Sequence, residues 1–195
     1  YHSEISFESK GEYIKLIPSN GGTTTDYGQP ELPLFSTLIQ VSKDKEYSVS
    51  YNIISSHIID DIKVFPFQNK DKTEAPGFIK YKDASFYIED TVYPESILKV
   101  SDRLVMRDLE LLNISVVPYR YNPLQSTLEV IDEIEIVVNV TGENTAGDSS
   151  TRLPSRVFER LYSNLILNYE TRDEDAEFQD PAILYICGGS SENNS

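Results

Sequence analysis

Between residues 128 and 140 apolar and polar side chains alternate. Leu128, Val130, Ile134, Ile136, Val138 and Val140 fall on one parity, and Glu129, Glu133, Glu135 and Asn139 on the other. Successive side chains of an extended strand point to opposite faces, so this pattern describes a long antiparallel strand with one face in a core and one in water. Tyr47, Val49, Tyr51 and Ile53 repeat it against Ser48, Ser50 and Asn52. Shorter strands are expected at Ser3–Phe7, Tyr13–Ile17, Ser36–Val41, Ile62–Phe67, Phe86–Glu89, Val105–Leu109 and Leu112–Val117. Turn signals separate them at Asn20-Gly21-Gly22, Tyr27-Gly28-Gln29-Pro30, Ala75-Pro76-Gly77 and Asn122-Pro123. Many short strands without intervening helices predict an all-β fold, an antiparallel sandwich or jelly roll.

The pattern changes near residue 142. Gly142–Thr151 is small and polar, as in a linker. Pro154–Asn168 then takes helical spacing, with Val157, Phe158, Leu161, Tyr162, Leu165 and Ile166 on one side and Glu159, Arg160, Ser163 and Asn164 on the other. Thr171–Pro181 reads as a second, charged linker. Ala182–Cys187 is a continuous apolar run followed by Gly188-Gly189, the signature of a strand buried on both faces. It is read as the first strand of a different, α/β domain. The expected division is a sandwich at 1–141, a linker and closing helix at 142–170, a processing linker at 171–181 and the start of a second domain at 182–195.

A net charge of −15 opposes any nucleic-acid partner, whose phosphates require clustered Lys and Arg. No apolar run approaches the roughly 18–20 residues of a membrane-spanning helix. Tyr1-His2-Ser3-Glu4 lacks the basic and apolar regions of a secretory leader, so the expectation is of a chain trimmed of one or never carrying one. Two histidines and one cysteine leave little material for a metal cluster or a catalytic triad, and no cofactor is expected. Cys187 reads as a strand thiol and His57 as a structural or surface residue. Asp173, Glu174, Asp175 and Glu177 lack the spacing of a calcium loop and read as a solvated charge run. Asn113-Ile114-Ser115 and Asn139-Val140-Thr141 fit the glycosylation pattern but fall in predicted strands.

Four segments carry a family likeness. They are Gly28-Gln29-Pro30-Glu31-Leu32-Pro33; Tyr93-Pro94-Glu95 with Arg107-Asp108; Pro118-Tyr119-Arg120-Tyr121-Asn122-Pro123 with Thr127-Leu128; and Phe158-Glu159, Tyr162 and Asn168-Tyr169-Glu170. In this order and at these separations the chain resembles the N-terminal propeptide of gingipain-like cysteine peptidases. The resemblance implies a β-sandwich that covers the active site of a caspase-like peptidase domain in the same polypeptide, keeps it latent and assists its folding. It implies a bacterial, secreted or cell-surface setting. The catalytic Cys and His would then lie beyond Ser195, and the chain itself is expected not to be an enzyme.

The resemblance also implies a basic residue in the specificity pocket, carried on a loop. The matching loop is Gln68–Gly77, where Lys72 holds the expected position and Lys70 is within reach. Arg172, just after the closing helix, matches the processing site. Read from the residues alone, both lysines are also ordinary loop charges and Arg172 an ordinary linker charge. Arg107-Asp108 and Arg120 read as supports of sheet edges and corners. Thirteen Tyr keep a rival reading open, a carbohydrate- or surface-binding sandwich module, although the absence of Trp weighs against it. A purely structural β-domain is a third. Specificity, order of cuts and oligomeric state are not legible.

Overall fold

The computed structural model describes residues 5–68, 83, 85–145, 152–173 and 175–180. Its strands are β1 (Ile5–Lys10), β2 (Tyr13–Pro18), β3 (Gly22–Thr23), β4 (Pro33–Val41), β5 (Lys45–Ile59), β6 (Leu98–Val100), β7 (Leu104–Met106), β8 (Leu109–Val116), β9 (Tyr119–Asn122) and β10 (Thr127–Glu143). One helix follows, α1 (Arg156–Leu165). All strand pairs are antiparallel. One sheet runs β5-β10-β9, a second β3-β4-β8-β6 with β7 also on β8, and β1-β2 form a separate hairpin.

The long alternating segments pair with each other. Ile136 lies opposite Tyr51, Val138 opposite Val49 and Val140 opposite Tyr47, so the apolar parities of β5 and β10 share a face. Tyr47, Val49, Ile134 and Ile136 pack onto Ile39, Val41, Leu112, Ile114 and Val116 of β4 and β8, which makes the two sheets a sandwich. Alternation does not reach the core along its whole length: Val138 and Val140 are exposed, because β5 and β10 outrun the facing sheet. A second core cluster joins Leu16, Leu32, Val64, Tyr121 and Leu128, all essentially inaccessible to solvent. Fully burying such a side chain contributes about 1.5–3 kcal/mol.

Three expected strands differ. Ile62–Phe67 makes only isolated bridges, Val64 with Ile14 and Pro66 with Pro30, since a proline has no N–H to continue a ladder. Phe86–Ile88 is a 3-10 turn, started by the Asp83 carboxylate accepting the N–H groups of Ser85 (3.2 Å) and Phe86 (3.3 Å). Val105–Leu109 is broken at Arg107, whose φ of 56° turns the chain from β7 into β8.

The helix forms where its spacing predicts but is rotated. Its buried face is Phe158, Tyr162 and then Ile166, which pack on Leu109, Leu111, Leu38 and Met106. Val157, Leu161 and Leu165 face outward, with Val157 80% exposed. Two apolar stripes lie side by side on this helix, and the sheet offers a groove for one. The chain after the helix then covers the free edge of β4. Leu167 N–H donates to Leu38 O at 2.8 Å, and the Asn168 amide both donates to Gln40 O (2.9 Å) and accepts from Gln40 N–H (2.7 Å). An unpaired strand edge is satisfied in this way by a side chain acting as a strand. Among the described residues no helix is long and apolar enough to cross a membrane.

Candidate functional site

Lys70 and Lys72 lie outside the described residues, but both ends of the segment that carries them are described. They meet at one short stretch, Gly28–Glu31. On the incoming side, Gly28 N–H donates to Phe67 O at 3.0 Å, Phe67 N–H to Gln29 O at 2.8 Å and Glu31 N–H to Phe65 O at 2.8 Å. On the outgoing side, Asp83 N–H donates to Gly28 O at 3.2 Å, and the Gln29 amide donates to Asp83 Oδ2 at 2.7 Å. Residues 28 and 29 therefore hold the two ends of segment 69–82 together.

The base is itself braced. Glu31 is buried, accepts Lys15 Nζ on both oxygens (2.9 and 2.7 Å) and takes the Thr23 hydroxyl at 3.1 Å. Lys15 also lies over the Phe65 ring at 5.7 Å. Gly28 has a φ of 81°, a conformation that a Cβ disfavours. Hydrogen bonds from the Ser85 hydroxyl and the Phe86 N–H hold the Asp83 carboxyl below its ordinary range. Sequence reading identified the Gly28–Pro33 motif but not what it does. The two ends of the loop are about fifteen residues apart along the chain, and only tertiary structure brings them to one point.

Arg172 is described, and it is not a free linker charge. Its Nη2 lies 2.5 Å from Asp108 Oδ2 and its Nη1 2.8 Å from Glu159 Oε1. Its guanidinium is also 5.9 Å from the centre of the Tyr169 ring. The remaining carboxylate oxygens are engaged as well: Tyr162 OH donates to Asp108 Oδ1 at 3.0 Å and Tyr169 OH to Glu159 Oε2 at 2.6 Å. The side chains of Asp108 and Glu159 are 6% and 12% exposed. Burial opposes the guanidinium charge, but the Asp108 and Glu159 carboxylates outweigh it and hold Arg172 above its ordinary range. Burial, and next the bond to Asp108, push the Tyr162 phenol up to about 12.

The sequence pattern placed Glu159 on the solvent side of the helix. The rotation of α1 turns it inward instead, toward the turn that Arg107 makes. Arg107 stacks over Phe158 at 4.6 Å, in keeping with the reading of the Arg107-Asp108 pair as a corner support. A usable signal was present: Asp108, Glu159, Tyr162 and Tyr169 belong to two of the four family segments, far apart in sequence, and only Asp108 had an assigned task, as a corner support. His57 lies on the surface of β5, its Nδ1 2.9 Å from Asp132 Oδ2. Cys187 and the 182–187 run lie outside the described residues.

A family model described as Propeptide_C25 matches residues 8–176. The chain belongs to the Propeptide_C25 family. It is 30% identical over 171 residues to Gingipain R2 of Porphyromonas gingivalis, covering 83% of this chain and 22% of that one. It is 27% identical over 155 residues to Gingipain R1 of the same organism, covering 78% of this chain and 15% of that one. The chain thus spans about a fifth or less of the curated relatives it matches. Among solved structures it is similar to the complex of Porphyromonas gingivalis RgpB pro- and mature domains, with a TM-score of 0.66 at 26% identity, covering 86% of this chain and 88% of that one. The fold also matches a structure that addresses zymogenic latency of gingipain K, at a TM-score of 0.56 and 19% identity, covering 72% and 82%. As a member of the Propeptide_C25 family, the chain is a propeptide domain and not the catalytic part of a peptidase.

Proposed function

We propose that this domain keeps a gingipain-like cysteine endopeptidase latent by occupying its active-site cleft, and that it assists the folding of that enzyme. The partner is the catalytic domain of the same polypeptide, outside the cell in a bacterial, secreted or surface setting. The observation that carries the reading is the likeness to a propeptide bound to its mature domain over most of both chains. The closed base at Gly28–Glu31 supports it, because a protein inhibitor needs an anchor presented by a rigid frame.

In this reading Lys72, or its neighbour Lys70, enters the specificity pocket. A lysine stem is apolar and its ammonium is a point charge, which suits a deep pocket ending in a carboxylate. Cleavage after Arg172 starts release. One cut need not dissociate the domains, since an interface of ordinary size survives a nick. The test is inhibition of the cognate peptidase by the purified chain. Lys72→Ala is expected to weaken inhibition at least about tenfold, the usual size of an interface anchor, with Lys70→Ala as comparator. Undiminished inhibition by both variants removes the lysine assignment, and no inhibition by the parent chain removes latency by cleft occupation.

A further inference from the structure

We propose that Asp108 and Glu159, with Tyr162 and Tyr169 behind them, form a guanidinium-binding site that withholds Arg172 from proteolysis. Cleavage after Arg172 then requires this clamp to open first. The inference rests on the reading of Arg172 as the processing residue and adds its regulation.

A peptidase that cuts after a basic residue draws that side chain into its own pocket and binds the flanking backbone as an extended strand. Both requirements are blocked around the 172–173 bond. The Arg172 guanidinium is already held by two carboxylates, at 2.5 and 2.8 Å. Its backbone N–H also points to Glu159 Oε2, at 3.4 Å. Downstream, Ala176 N–H donates to Asp173 O at 3.0 Å, a short-range bond that a chain bound as an extended strand does not make. The tail is then pinned again: Gln179 N–H donates to Pro154 O at 2.7 Å, its side chain accepts from Arg107 Nη2 at 2.7 Å, and Phe178 lies under Arg156 at 4.5 Å.

The clamp and the protease pocket compete for one guanidinium. Each of the four oxygens in the clamp has its own donor, so the site is built for this cation and is not a chance surface pair. Both carboxylates sit where helix α1 meets the β7–β8 turn. Undocking of the helix therefore opens the clamp, which links exposure of the bond to the integrity of the propeptide fold.

The experiment is native-state proteolysis of the full chain with trypsin, following the 172–173 cut by mass spectrometry. A synthetic peptide of residues 166–180 serves as the unprotected reference. The parent chain is expected to be cut at least about tenfold more slowly than the peptide, and Glu159→Gln and Asp108→Asn to recover about tenfold each, as loss of one charge-assisted contact implies. Cutting after Arg120, in β9 between the buried Tyr119 and Tyr121, reports global unfolding in the same digest. Equal rates for parent and peptide overturn the proposal, as do variants no faster than the parent, or faster only in step with Arg120. The same variants are offered to the cognate peptidase. If it never cuts at Arg172 while trypsin shows protection and release, the processing assignment fails and the clamp stands.

Discussion

Tyr162 is the side chain on which the docking of helix α1 depends, and its truncation gives a graded prediction. The residue is fully buried and packs among Leu109, Leu111 and Ile166. Its ring also lies 5.9 Å from Phe158 and 5.3 Å from Tyr169. Removing a buried aromatic ring costs about 3–5 kcal/mol. The hydroxyl adds a bond to a charged acceptor, Asp108, worth about 1.5–3 kcal/mol when the acceptor stays buried. Arg172 continues to hold the other oxygen of Asp108, which places the loss at the low end. Tyr162→Phe is therefore expected to cost about 1.5 kcal/mol and Tyr162→Ala about 4.5–6.5 kcal/mol. Against a typical total of about 5–15 kcal/mol, the alanine variant should lose a large part of its stability. Urea denaturation followed by circular dichroism measures both. Hydrogen exchange gives the local counterpart: the N–H groups of Ile166 and Leu167, which donate to Tyr162 O and Leu38 O, should exchange faster in the alanine variant than those of β8. An alanine cost below about 1 kcal/mol would refute the argument that the ring anchors the helix. Equal costs for the two variants would show that the hydroxyl alone matters.

Other outcomes test separate parts of the molecule. Gly21 has a φ of 91°, and a Cβ there would meet Leu34 O at 2.7 Å, so Gly21→Ala is expected to lower stability by about 1–3 kcal/mol in the same denaturation assay. Val140→Thr and Val157→Ser, both exposed, should change it by less than about 0.5 kcal/mol, a contrast with Leu128→Ala at about 2–5 kcal/mol. Gln29→Ala removes the bond to Asp83 and should weaken inhibition of the cognate peptidase while leaving the melting temperature nearly unchanged. Alkaline titration has a defined sign. Burial pushes the phenols of Tyr119 and Tyr162 up to about 12, against 10.0 for a free phenol. The folded state keeps these protons longer, so the stability they contribute is complete below the unfolded pKa and is lost as pH rises through about 12. The urea midpoint should fall across that window together with the rise of phenolate absorbance, and less steeply in Tyr162→Phe.

Period two in residues 47–53 and 128–140 was enough to establish long antiparallel strands, because a half-buried strand has to alternate whatever its neighbours are. The helix near 156–165 was legible for the same reason at its own period. Which of its two apolar stripes turned inward was not, since the groove over Leu109 and Leu111 is made by another part of the chain. That one rotation carried Glu159 from the expected solvent face to a half-buried position beside Asp108, and so decided where Arg172 would rest. Local pattern reports what a segment can bury. The pairings of Glu31 with Lys15, Asp83 with Gln29 and Asp108 with Arg172 join distant parts of the chain, and a charge or amide has no periodicity by which sequence alone could pair it.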